Sequence, residues 1–372
     1  MIPVNQPLIA KNASKYVLDC LKTGWISSAG SYIDKFEKQF ADFCGCKFAV
    51  TCTNGTAAIH LALETLNIKE DNEVIIPTFT MIATAFAVIY TGAKPVLVDC
   101  ELDTYNINPD LIEKKITAKT KAIIPVHLYG HPANMDPILK LAKKHHLFII
   151  EDAAEIHGGK YKNKPAGSLG DVGCFSFYAN KIVTTGEGGM IVTNNKKIYE
   201  KAKRIKDLCH SPKKRFWHTD VGYNYRMTNL QAALGLAQLE EVNKYLKIKR
   251  WMAKKYQEGL GNIKGLVLPG EKDYAFSVFW MYAVLIKEKE FGINAQQLRK
   301  RLYQEGIDTR DFFIPMHKQP VFRKMRLFKK EKYSVADYIY KRGFYLPSGL
   351  ALTDAQINQV IQAIKKIKKS LS

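Results

Sequence analysis

Lysines seldom end apolar runs, and one does so here. Lys181 comes after Cys174-Phe-Ser-Phe177 and the short connection Tyr178-Ala-Asn180. With that run as a buried strand, the amine at its end is poorly solvated and becomes a nucleophile. Asp152 lies 29 residues earlier, after Leu147-Phe-Ile-Ile150 and Glu151. A carboxylate at the end of a buried strand is usually placed for a partner, because unpaired burial is costly; a purely structural ion pair is the other reading. A third segment, Thr51-Cys-Thr-Asn-Gly-Thr-Ala-Ala58, follows Phe48-Ala-Val50 and enters a helix. Gly55 allows a ligand close to the backbone, and free N–H groups at a helix start favour a phosphate, although Asn54 or Thr56 as a simple cap explains the same residues. A lysine to form a Schiff base, a carboxylate to keep a pyridine nitrogen protonated and a helix start to anchor a phosphate are the parts of a pyridoxal 5′-phosphate (PLP) site. The glycine-rich Gly186-Glu-Gly-Gly189 and the polar helix entry Gly222 to Asn229 follow further along.

Such residues need a frame, and the apolar runs supply one. Phe48–Val50, Val74–Ile76, Pro95–Val98, Ala122–Ile124, Leu147–Ile150, Cys174–Phe177 and Met190–Val192 alternate with helical segments such as Thr56–Leu66 and Met135–Lys144. Continuous apolar runs suit strands buried on both faces, so an α/β fold with a mostly parallel seven-stranded sheet flanked by helices is expected. Ligands of such sheets bind beyond the carboxyl ends of the strands, where the three segments above lie. A long helical pattern, Thr228 to Tyr256, leads out of the sheet. The remainder reads as a smaller α+β domain, so the expected division is 1–245 and 246–372.

The 372 residues, 47% hydrophobic and 24% charged, have the balance of a globular protein of two or three packed domains. Val74 to Ala93 is uncharged and long enough to span a bilayer, but Pro77 and four threonines divide it into a strand and a small-residue helix of the core, so no membrane span is expected. Met1 to Asn5 shows no signal-peptide pattern, and the seven cysteines include no Cys-x-x-Cys pair. A cytoplasmic protein without a metal site follows. The net charge of +21 comes from dispersed runs, Lys201–Arg204, Lys213–Arg215, Arg323–Lys332 and Lys365–Lys369. No recognition motif accompanies them, so nucleic acid is not the expected partner, whereas an anionic small molecule suits the charge equally well.

The ordered set Thr53-Asn-Gly-Thr-Ala-Ala58, Glu151-Asp-Ala-Ala154, Ser176-Phe-Tyr-Ala-Asn-Lys181, Thr185-Gly-Glu-Gly-Gly189 and Gly222 to Asn229 resembles the DegT/DnrJ/EryC1/StrS sugar aminotransferases. The likeness runs from Pro3 to Thr309-Arg-Asp-Phe-Phe-Ile-Pro-Met-His317. It implies a fold-type-I aminotransferase, active as a homodimer with sites at the subunit interface. It makes Lys181 the Schiff-base lysine and Asp152 the partner of the pyridinium. Gly55, Thr56 and Ser176 would contact the phosphate, with Asn229 reaching it from the neighbouring subunit. Ala154 would lie under the ring, and Met81 on the face where many relatives place an aromatic residue. Ser27, His157, Arg310 and His317 are the implied sugar contacts. Gly24-Trp-Ile-Ser-Ser28, Phe79-Thr-Met-Ile-Ala-Thr84 and Glu155 resemble the branch of the family that takes GDP-linked substrates. The implied reaction transfers the amine of L-glutamate to the C4 ketone of GDP-4-keto-6-deoxy-D-mannose, with dTDP- or UDP-4-keto-6-deoxyglucose as the alternative. Related sugar 3-dehydratases carry histidine at the lysine position, and Lys181 argues against that chemistry.

Overall fold

All seven apolar runs form strands of one sheet in the computed structural model, which describes residues 1–371 apart from 212 and 215. Arg215 of the second basic run and Ser372 therefore lie outside the described residues. The strands are β1 (Phe48–Cys52), β2 (Glu73–Pro77), β3 (Lys94–Val98), β4 (Thr120–Ile123), β5 (Phe148–Asp152), β6 (Val172–Ser176) and β7 (Gly189–Thr193). Their spatial order is β1-β7-β6-β5-β4-β2-β3. β7 runs antiparallel to both of its neighbours, and every other pair is parallel. β2, β6 and β7 are buried along their whole length, as strands covered by helices on both faces must be.

The covering helices include α1 (Ala13–Thr23), α2 (Ser31–Cys44), α3 (Gly55–Thr65), α4 (Ala83–Tyr90), α5 (Met135–His145) and α6 (Lys196–Ile205). Val74 to Ala93 becomes β2 and α4 inside the core, and no helix among the described residues is long and apolar enough to cross a membrane. The helical pattern expected from 228 to 256 is two helices, α7 (Asn229–Glu240) and α8 (Val242–Leu260), broken at Glu241 with φ −98° and ψ 3°. The break follows from their different surroundings. α7 is rich in small apolar residues and packs against α1 and α2, whereas α8 leaves toward a second core.

That second core surrounds a four-stranded antiparallel sheet of Leu266–Val267, Tyr282–Ile286, Gly343–Leu346 and Arg310–Asp311. Along α8, Val242 and Tyr245 belong to the first core, and Met252, Ala253, Tyr256 and Leu260 to the second. The helix thus crosses residue 245 without a break. The chain start also crosses over: Ile2 pairs with Ile307 and is buried in the second core. The last helix, Asp354–Lys369, opens on a Thr353/Gln356 capping box and buries Ile357, Val360, Ile361 and Ile364, leaving its lysines on the outer face.

Candidate active site

Strand register brings the three chemical segments to one edge. Gly189, the first residue of β7, is opposite Cys52 on one side and Ser176 on the other, while Asp152 is opposite Cys174. The carboxyl ends of β1, β5 and β6 therefore open together onto a cleft of about 710 Å³.

Two adjacent carboxylates end β5, and the strand's alternation sends them to opposite sides. Glu151 faces inward, where it accepts the N–H groups of Gly167, Leu169 and Gly170 at 2.8, 2.6 and 2.7 Å and pairs with His127 at 2.9 Å. It is fully used in holding that loop. Asp152 faces the cleft, accepting the Thr84 hydroxyl at 2.8 Å and the Ala154 N–H at 3.2 Å. Burial pushes the Asp152 carboxyl above its usual range, and the Thr84 and Ala154 hydrogen bonds with the Lys181 charge pull it back.

Lys181 also lines the cleft, its amine 4.0 Å from Glu155 Oε1 and 3.8 Å from the centre of the Trp280 ring. Burial lowers its pKa while Glu155 and Asp152 hold it up, the setting of a nucleophilic amine. At the start of α3 the Asn54 side chain caps Ala57 N–H at 2.8 Å, while Gly55 and Thr56, where helix N–H groups lack internal partners, line the cleft. A Cβ on Gly55 would stand 2.8 Å from Ser176 Cβ, so glycine is what lets α3 and β6 meet. Ser176, Ala154 and Met81 line the cleft as well.

The remaining expected residues lie elsewhere. Asn229 is buried and used within its own chain: its amide donates to Trp25 O at 2.7 Å and its Oδ1 accepts Tyr32 N–H at 3.0 Å. Gly30 packs on it so closely that any Cβ would overlap the amide. The side chain fastens the 25–32 segment to α7. Ser27 is exposed and meets α7 through its carbonyl, which accepts Asn229 N–H at 2.6 Å; it does not line the cleft. Arg310 is exposed beside the cleft residue Tyr345, its partner across the small sheet. His317 is held between Thr78 (2.9 Å) and Asp337 (3.0 Å), outside the cleft lining.

His157 is a core histidine. Its ring packs among Phe40, Phe175 and Phe177, and its Nδ1 accepts Val183 N–H at 3.2 Å. Burial, with the Lys181 charge adding to it, pulls its pKa down to about 3. The folded state therefore refuses a proton that the unfolded chain accepts, and stability falls as pH drops from about 6.5 toward 3. Between pH 7 and pH 5 the loss should be about 2 kcal/mol. Denaturant unfolding of His157→Phe should show that much less acid sensitivity, after a constant cost of about 1 kcal/mol for the unpaired Val183 N–H. Equal acid sensitivity in both proteins would refute this role.

Several cleft residues carry no sequence signal of their own. Trp280 arrives from the second half of the chain and donates its indole N–H to Asn180 O at 2.8 Å. Thr80 Oγ1 and Asn180 Oδ1 are buried at the cleft without a hydrogen-bond partner among the described residues. Orphaned polar atoms, a helix start whose N–H groups face the cleft and a buried carboxylate beside them fit a polar, phosphorylated, cationic ring such as PLP.

Residues 7–365 match the DegT/DnrJ/EryC1/StrS aminotransferase family. The chain belongs to that family. It is a PLP-dependent aminotransferase. Similar proteins include the GDP-perosamine synthase of Escherichia coli O157:H7, 43% identical over 366 residues and 98% of each chain, and that of Caulobacter vibrioides, 44% identical over 367 residues and again 98% of each. Among solved structures, the PLP form of the putative sugar aminotransferase Spr1654 from Streptococcus pneumoniae superimposes with a TM-score of 0.94 at 25% identity, covering 100% of this chain and 99% of that one. The aminotransferase thus has the expected α/β fold, a mostly parallel seven-stranded sheet flanked by helices, and Trp280, Phe313 and Tyr345 of the smaller C-terminal part line the cleft.

Proposed function

We propose that this aminotransferase converts GDP-4-keto-6-deoxy-D-mannose to GDP-perosamine with L-glutamate as amino donor. The observation that carries the chemistry is the convergence of Lys181, Asp152 and the start of α3 on one cleft. The substrate is supported by identity of 43% and 44% with two GDP-perosamine synthases along nearly the whole chain.

When bound, PLP supplies an electron sink that lets a proton leave the carbon bearing the amine. Gly55, Thr56 and Ser176 would hold its phosphate and Asp152 its ring nitrogen, with Ala154 and Met81 beside the ring. Thr84 and the Ala154 N–H fix the Asp152 carboxylate toward the cleft. Lys181 would hold the cofactor covalently, and its Nζ is the group placed to take up and return a proton. Burial makes that amine a weaker base than a solvated one, because its charged form is disfavoured, so more of it stands free to attack and to take up the proton near neutral pH.

The active form is a cytoplasmic homodimer with shared sites. Leu18, Leu21, Trp25 and Ile26, on and just after α1, leave a large apolar surface exposed of the kind that subunits cover. All seven cysteines are free and buried, which suits a reducing compartment.

The test is a panel of GDP-, dTDP- and UDP-linked 4-keto-6-deoxyhexoses with glutamate as donor. A pocket that satisfies the polar edge of guanine and the sugar's C2 hydroxyl leaves buried groups unpaired with the wrong partner. kcat/KM for the GDP-sugar should exceed the others by at least about tenfold, or ~1.4 kcal/mol. A faster dTDP- or UDP-linked gluco substrate would overturn the substrate assignment and leave the cofactor chemistry standing.

A further inference from the structure

Glu155 occupies the cleft without a task in the scheme above. Its side chain is 6% exposed and reaches between Lys181 and the turn at Tyr129. Oε2 accepts the Tyr129 N–H at 2.8 Å. Tyr129 adopts φ 53° and ψ 17° there, a left-handed conformation that a bulky residue keeps only when its surroundings hold it. They do: its ring packs on Phe312, Phe313 and Tyr345. Oε1 accepts no hydrogen bond among the described residues and lies 4.0 Å from Lys181 Nζ. Of the two other carboxylates that line the cleft, Asp152 has both oxygens engaged, by Thr84 and by Ala154 N–H, and Glu187 is exposed. That leaves Glu155 Oε1, beside the reactive amine, without a hydrogen bond among the described residues.

We infer that Glu155 is the proton partner of Lys181, sharing one proton with it so that Lys–NH₃⁺/Glu–COO⁻ exchanges with Lys–NH₂/Glu–COOH. The inference rests on the reading of Lys181 as the reactive amine and deepens it. The exchange is balanced within the pair: the proton leaving Nζ becomes the carboxyl proton. It crosses by a rotamer adjustment of about 1 Å or through one water, since proton transfer needs roughly 2.6–3.2 Å between heavy atoms. The carboxyl therefore stores the proton while the amine attacks, and returns it when Lys181 must act as an acid.

The surrounding charges favour this exchange. Burial pushes Glu155 up to about 7, with Lys181 and the Tyr129 N–H drawing it down and Asp152 raising it. Burial lowers Lys181, so both groups move toward their neutral forms. The other titratable groups facing the pair are Asp152 at the end of β5, His157 (held neutral), and the tyrosines 129 and 345, whose hydroxyls burial keeps protonated. Arg310 acts on Tyr345 from outside the cleft. None of them replaces Glu155 as a nearby acceptor.

Full-length protein freed of cofactor tests the pairing without relying on turnover. Acetylation of Lys181 by acetic anhydride, followed by peptide mass spectrometry across pH, reports the midpoint at which the amine becomes free. Glu155→Gln removes the negative neighbour, and the midpoint should fall by about one pH unit or more, a tenfold change in free amine. Glu155→Asp withdraws the charge by one methylene, and its midpoint should lie between the other two. In the loaded enzyme Glu155→Gln should lower kcat by about tenfold or more and shift the acidic limb of the pH profile, as loss of a proton-transfer partner does. A merely structural Glu155 would leave the midpoint in place. Midpoints within about 0.3 unit of one another, in variants with unchanged melting temperature, overturn the inference. Should the Gln variant not fold, the Asp variant alone decides by the same criterion. Failure of the lysine assignment is separately visible, because borohydride would then leave the cofactor on a peptide without Lys181.

Discussion

Lys181→Ala should abolish turnover, with a fall of about 10⁴-fold or more, because one side chain supplies both the covalent attachment and the proton transfer. Borohydride treatment of the wild-type enzyme should fix the cofactor on the peptide that contains Lys181, and the variant should retain no such link. The variant should still fold. Removing the ammonium leaves Glu155 without its counter-charge, but burial already holds that carboxyl near about 7, so it can take up a proton instead of remaining a lone buried charge. Loss of activity can then be read as loss of chemistry. An active Lys181→Ala protein would sink the assignment.

Asp152→Asn should produce the second-largest loss. The amide keeps the shape of the carboxylate and can still accept the Thr84 hydroxyl, so packing at the end of β5 changes little. What disappears is the negative charge facing a cationic ring nitrogen in a buried site. Breaking one side of a buried charge pair costs about 3–5 kcal/mol, or roughly 10²- to 10⁴-fold in kcat/KM if the effect falls on the transition state. Cofactor content should fall less than activity, since the start of α3 and Lys181 remain in place. Cofactor content and kcat/KM measured on the same preparation separate the two effects. Full activity of Asp152→Asn would show that the ring nitrogen is held in another way. Glu151→Gln is the contrasting variant: Glu151 serves the 167–170 loop, so its loss should appear in stability first.

The neighbouring pair Glu151 and Asp152 shows where sequence reading stops. Both follow the same apolar run, and residue type alone does not say which one faces the ligand. The register of β5 against β6 decides it, because side chains alternate along a strand. Asn229 and His157 mark the same limit from the other side. Each sits in a motif that draws attention, yet one is spent fastening the 25–32 segment and the other is enclosed by three phenylalanines. A polar residue in a conspicuous place serves the interior as readily as a ligand, and only its neighbours distinguish the two.

By itself the sequence determined the seven strands, since runs of β-branched and apolar residues between helical segments have few other stable arrangements than a covered sheet. It also determined Lys181, Asp152 and Gly55 as one site. Their types are those PLP chemistry requires, and each follows a strand whose carboxyl end must lie on the ligand side of a parallel sheet. The tertiary structure decided what depends on contacts between distant segments. Trp280 meets Lys181 from 99 residues away in sequence, and Tyr129 reaches Glu155 across the end of β5. α8 carries the chain unbroken from one core into the other, so the division near 245 has no local signature. Periodicity is a property of neighbouring residues and survives in the sequence, whereas the pairing of a buried charge is set by whichever chain segment packs against it.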